Sequence, residues 1–335
     1  MPEHAHRWTG NSDPPAGGTL HATNGSYVAG VYDVAHDNGL RTGHYASKSK
    51  FSLFDTSWNA TYGAADAVLP DYGRDKIDAY LYTTNTAVLE NSMITNMVAQ
   101  PFQYVFLHLR DPDTTGHSSG WYISPTNSAY CNTIRVMDSR LGQIFSLVDT
   151  NPQFTGRTAI ILTADHGGGG GSYSNHGDPA YAANYTVPFY VWGPGVMPAA
   201  PLYLMNPTNR LNPGTGRPLY SAPVQPIRNG EAVNVALKLL GLPSVPGSTI
   251  GAAQDLALTV TPPSDFQLAI ADTNAVVGFT MLTNVLYDIQ GRDDLTSGDW
   301  SNVATNIAGT TGSYASVIVG QATSPPRFFR LKLHF

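Results

Sequence analysis

Two stretches decide the fold: YVFLHLRDPDTTGH at residues 104–117 and TAIILTADHGGGGG at residues 158–171. Each begins with a short, nearly continuous apolar run, the pattern of a strand covered on both faces. Each then turns polar and presents an aspartate and a histidine. Between them, Ile134, Met137, Leu141, Ile144 and Val148 recur at 3-4-3-4 spacing, which predicts a helix with one apolar face. Ser124-Pro125 supplies its predicted N-cap and first-turn proline, and Asn151-Pro152 closes it. The polar stretch Asp111–Gly120 reads as a loop. Further out, 27–40, 86–99 and 228–240 read as helices, and 41–46 and 187–192 as strands. Residues 50–85 are aromatic without a clear period. Strands alternating with helices predict an α/β domain with a mostly parallel sheet flanked by helices. In such sheets the ligand site lies beyond the carboxyl ends of the strands, where both Asp/His clusters fall.

The rest of the chain limits the alternatives. Of 335 residues, 18 are Lys or Arg and 24 are Asp or Glu, a net charge of −6. That leaves no basic excess for a phosphate backbone and argues against a dedicated nucleic-acid binder. The one cysteine, Cys131, excludes an internal disulfide framework or a Cys-rich zinc module, and reads as a small core residue. No apolar run approaches a membrane span. Residues 241–265 are rich in Gly, Pro and Ala and read as a linker. Beyond them the period changes to two, as in Val285, Tyr287 and Ile289 and in Phe329, Leu331 and Leu333. The predicted organisation is an α/β domain over 1–252 and a small all-β sandwich over 260–335.

The chemistry is carried by Asp113, His117, Asp165, His166 and His176. A lone Asp-x-x-x-His is most often a loop cap. Two Asp/His pairs at successive strand ends, with a further His ten residues after His166, are a more specific pattern. Their oxygen and nitrogen donors suit a borderline divalent ion such as Zn²⁺. Five of them at one sheet edge predict two ions, the arrangement that suits displacement at phosphorus. Residues 167–171 let backbone pass close to the site, but they lack the Lys-Ser/Thr of a phosphate loop.

FLHLRDPDTTGH (106–117), IILTADHGGGG (160–170), NHG (175–177), VPFYVWGPGV (187–196) and NVALKLLGLP (234–243) occur in this order. In them the chain resembles the alkaline phosphatase superfamily, closest to its type I phosphodiesterase/nucleotide pyrophosphatase branch, over roughly residues 2–250. The resemblance implies a phosphoester hydrolase with two divalent ions, usually zinc, and a small-molecule phosphoester substrate. Asp113, His117 and His176 would hold the first ion, Asp165 and His166 the second. PEHAHRWTGN (2–11) resembles only the family's Pro…His-Gly-x-x-x-Asn segment, which makes Asn11 the phosphate-binding residue. On that alignment the first metal-binding Asp and the Thr or Ser nucleophile lie before Met1. An inactive or fragmentary member acting as a binding module is therefore the rival expectation. A sulfatase or phosphomutase of the same superfamily is a third. The C-terminal segment resembles small β modules appended to secreted bacterial enzymes, so the intact protein is expected outside the cytoplasm, extracellular or periplasmic.

Overall fold

The computed structural model describes residues 18–335 except 69–71 and 324–327. In chain order its first part comprises α1 (Leu20–Asn24), α2 (Val31–His36), β1 (Thr42–Ala46), α3 (Ser52–Ser57), β2 (Ala79–Tyr82), α4 (Thr86–Ala99), β3 (Tyr104–His108), α5 (Asp111–Ser119) and α6 (Ala129–Thr150). Then follow β4 (Ile160–Thr163), α7 (Ala182–Tyr185), β5 (Phe189–Trp192), α8 (Leu202–Met205) and α9 (Glu231–Leu239). The chain divides into two compact units. One joins the described residues up to Pro194 with Asn209–Leu256; the other joins Gly195–Thr208 with Ala257–Phe335.

In the first unit β1 is the centre of a parallel sheet, ordered β2-β1-β3. Alternation along β1 sends its side chains to two cores. His44 and Ala46 face the side where Tyr32, Phe51, Phe54, Trp58, Val233 and Leu237 pack. Tyr45 faces the other side, with Leu89, Met93 and Met97 of α4 and Val148 of α6. Strand β3 splits the same way, with Tyr104 and Phe106 packed on the first core and Val105 and Leu107 on the second. Helices thus cover both faces of the sheet, as an α/β fold requires.

Four local expectations are corrected. Residues 111–119 form α5 rather than a loop: a proline in the first turn and Asp111 and Asp113 near the helix N-terminus favour it. The long helix starts at Ala129, because the Ser128 hydroxyl, not Ser124, accepts the Cys131 amide at 3.1 Å. Cys131 is half-buried in that first turn rather than in the core. Strand β5 pairs antiparallel to β4, Ile160 opposite Trp192. The reason is that the connection folds back on itself: Gly167 N donates to Asn184 O at 3.0 Å and Gly168 N to Ala183 O at 2.8 Å. Strand β5 therefore starts where β4 ends.

Apart from α8, the second unit is built of β-strands. Strands β6 (Gln267–Ala271), β7 (Asn274–Thr280) and β10 (Tyr314–Gln321) form an antiparallel sheet ordered β10-β7-β6. Strands β8 (Leu286–Arg292), β9 (Ser301–Ala308) and β11 (Phe328–His334) form a second, ordered β11-β8-β9. Val277, Phe279, Tyr287, Ile289 and Val319 make their shared core.

Candidate metal centre

The ends of β1, β3 and β4 meet at one place. Beyond β3, helix α5 puts Asp113 and His117 one turn apart on one face. Their nearest atoms, Asp113 Oδ1 and His117 Nε2, are 3.4 Å apart. Beyond β4, His166 Nε2 lies 3.4 Å from the same Oδ1 and 3.6 Å from Asp165 Oδ2. His176 reaches it from the loop after the glycines, with Nε2 4.0 Å from Asp113 Oδ1. Its ring stacks on His166 at a centroid distance of 3.6 Å. One ligand atom each of Asp113, His117 and His176 lies within 4.8 Å of the others. Asp165 and His166 adjoin this group. Asn11 lies outside the described residues.

Hydrogen bonds set the direction of these rings. His117 Nδ1 lies 3.0 Å from Ser174 O, and His166 Nδ1 lies 2.7 Å from Gly167 O. A carbonyl only accepts, so each Nδ1 carries a proton, which in the neutral ring leaves Nε2 free to bind a cation. This is the outer-shell bond that orients a metal-ligating imidazole. Both Nε2 atoms lie 3.4 Å from Asp113 Oδ1, a buried oxygen with no hydrogen-bond partner among the described residues. Acceptors converging on an acceptor fit a cation, and imidazole with carboxylate is a donor set for zinc.

Glycines and one indole shape the walls. Trp121 meets His117 edge-on at 5.0 Å and His176 at 5.8 Å. A Cβ on Gly116 or Gly168 would overlap the Trp121 ring, so the two glycines let the helix and the loop close on it. Asn184 ties the glycine loop down: its Oδ1 accepts Gly170 N at 2.9 Å and its Nδ2 donates to Asp178 O at 2.8 Å. Asn229 Nδ2 donates to the carbonyls of Ala164 and Asp165, fixing the end of β4.

Sequence reasoning missed Lys48. It follows β1, and its Nζ donates to Asp113 Oδ2 at 2.6 Å. Burial pushes the Asp113 carboxyl up, but the Lys48 ammonium outweighs it and holds Asp113 below the usual carboxylate range. Burial, and then the charges of His166 and His117, lower His176. The available signal for Lys48 was its position just past the carboxyl end of a strand, where ligand groups of such sheets gather.

The helix-flanked parallel sheet fits the α/β fold of the alkaline phosphatase superfamily, and in this chain an all-β module follows it. Within it, the family model for type I phosphodiesterase / nucleotide pyrophosphatase matches residues 7–201, more than half of the chain, and the chain belongs to that family. Relatives include GPI ethanolamine phosphate transferase 1 of Neurospora crassa, 27% identical over 197 residues, which are 50% of this chain and 19% of that protein. The protein of the same name from Gibberella zeae is 36% identical over 121 residues, 36% of this chain and 10% of its own length. That of Saccharomyces cerevisiae is 30% identical over 127 residues, covering 36% and 13%. The chain thus spans between a tenth and a fifth of these relatives' length. Among the described residues, no helix is long and apolar enough to cross a membrane.

Proposed function

We propose that this chain carries the centre of a two-metal phosphoester hydrolase acting on a small phosphodiester or pyrophosphate-type substrate. The observation that carries this reading is the convergence of three imidazole Nε2 atoms, at 3.4, 3.4 and 4.0 Å, on Asp113 Oδ1, which is buried and has no hydrogen-bond partner among the described residues. Asp113, His117 and His176 would hold one ion, and Asp165 with His166 would contribute to a second. Bound there, divalent ions supply Lewis-acid stabilisation of the oxygens around phosphorus. The chain's own residues prepare the site. The Ser174 and Gly167 carbonyls fix the tautomers of His117 and His166. Lys48 keeps Asp113 ionised, and Trp121 walls the imidazoles off from one side. Asn11 would donate a hydrogen bond to a non-bridging phosphoryl oxygen.

Elemental analysis after exhaustive dialysis tests the reading. About one zinc per chain should be retained, since three protein ligands with water complete the first site, while Asp165 and His166 alone hold a second ion only weakly. His117→Ala should weaken zinc binding by about 100-fold or more. No bound metal at neutral pH, or unchanged binding in His117→Ala, would sink it. The relatives named as ethanolamine phosphate transferases favour a second reading, in which an alcohol rather than water accepts the phosphoryl-containing group. Partition of product between water and an added alcohol acceptor separates the two.

A further inference from the structure

Asp113 uses its two oxygens differently. Oδ1 faces the imidazoles, while Oδ2 takes the Lys48 ammonium at 2.6 Å. The lysine is held in place from behind. Ala46 is paired with His108 in the β1–β3 ladder. Next to it, Ser47 Oγ donates to His108 O at 2.7 Å and accepts Arg110 N at 2.8 Å. The backbone carrying Lys48 is therefore clamped to the backbone that leads into α5. Lys48 itself is extended, with φ −118° and ψ 135°, and caps the short turn Ser49–Phe51. Its side chain is 23% exposed and that of Asp113 17%, so solvent screens the pair only partly.

We propose that Lys48 is a positioning residue which occupies Asp113 Oδ2 and so makes Asp113 a one-oxygen ligand, leaving Oδ1 alone to meet a divalent ion. The inference rests on the metal-binding reading above and adds to it the coordination number of the ion. A free carboxylate beside a cation can bind through both oxygens, which raises the coordination number. A carboxylate with one oxygen committed to an ammonium offers only the other. Lys48 therefore favours four-coordinate geometry with an open position for substrate over a closed, higher-coordinate one. It also cancels one of the two carboxylate charges at the centre, which suits the approach of an anionic phosphoester.

The test uses the full chain loaded with Co²⁺, whose visible absorption reports coordination geometry independently of turnover. Wild-type protein should give the intense bands of a four-coordinate ion. In Lys48→Met the released carboxylate should chelate, and band intensity should fall about twofold or more, with the metal still bound. Lys48→Arg, which keeps a cation on Oδ2, should return the wild-type spectrum. Should Lys48→Met fail to fold by circular dichroism, Lys48→Gln is read in the same way. A wild-type spectrum in the neutral variant overturns the role given to Lys48 and leaves the metal centre standing. Failure of the wild-type chain to take up Co²⁺ overturns the metal-binding reading itself, and the role of Lys48 with it.

Discussion

His44 sits in β1 with no exposed surface, stacked on Phe106 at 5.0 Å, its Nδ1 sharing a hydrogen bond of 2.5 Å with the Tyr32 hydroxyl. Burial, aided by the charge of His108, pushes its pKa down to about 3. The unfolded imidazole takes its proton near pH 6.5. Between these values only the unfolded chain binds it, so stability is full above pH 6.5 and falls as pH drops from there toward 3. His108, lowered to about 4 chiefly by burial, acts with the same sign. Urea melts should show stability declining below pH 6.5 by up to about 1.4 kcal/mol per pH unit for each histidine. His44→Phe should remove its share of the slope, and a slope unchanged by that substitution would contradict the buried neutral imidazole. Lys76 makes a second prediction. Its fully buried ammonium donates to Asp37 at 2.9 Å and to Asp66, which also meets His36. Lys76→Met leaves two carboxylates without their cation and should cost about 3–5 kcal/mol in a chemical melt. A loss under 1 kcal/mol would mean water replaces the ammonium.

At the level of elements, the site depends on α5 lying close to the glycine loop. Gly116 of α5 and Gly168 of the glycine loop both lie against the Trp121 indole. Gly116→Ala should displace the ring, cost about 1–3 kcal/mol by overpacking and weaken zinc binding, since His117 is the next residue of α5. Calorimetric zinc titration checks it; unchanged affinity would show that α5 can move without carrying His117 off the centre. This helix was also the least legible element. DPDTTGHSS has no apolar period and few strong helix formers, so propensity points to a loop, and tertiary packing on Trp121 decides otherwise. By contrast α4 was readable to its ends, with Asn85 as its N-cap. The apolar runs of β3 and β4 were readable because few other arrangements hide such runs. Strand β2 and helix α3 were not, because aromatic residues there serve a core assembled from distant segments. The candidate ligand residues could be read as a set from their order along the chain. Their common focus on one Asp113 oxygen, and the lysine on the other, exist only after folding.

Across the molecule, strand pairing and burial go together. Strand β1, paired on both edges, is buried along its whole length. Strands β3 and β4, each with one neighbour among the described residues, are only half-buried although more apolar in sequence. Open edges on apolar strands template pairing with other chains, so the first unit should be prone to self-association. The second unit has its own core in Val277, Phe279, Tyr287 and Ile289. Part of that unit comes from far upstream: Met197 N donates to Leu258 O at 2.8 Å, and Asn206 exchanges hydrogen bonds with Ala257 N and O. Cutting the chain after Leu256 therefore separates unequal partners. Residues 257–335 should remain soluble and melt cooperatively, at a lower temperature than the same unit in the whole chain, because the ties to 195–208 are lost. Residues 1–256 should associate, having open strand edges and a segment deprived of its partners. Calorimetry with light scattering on both pieces measures this. A sharp, monomeric transition for 1–256 would mean that the edges of β3 and β4 are protected in solution, and that their half-burial is no liability.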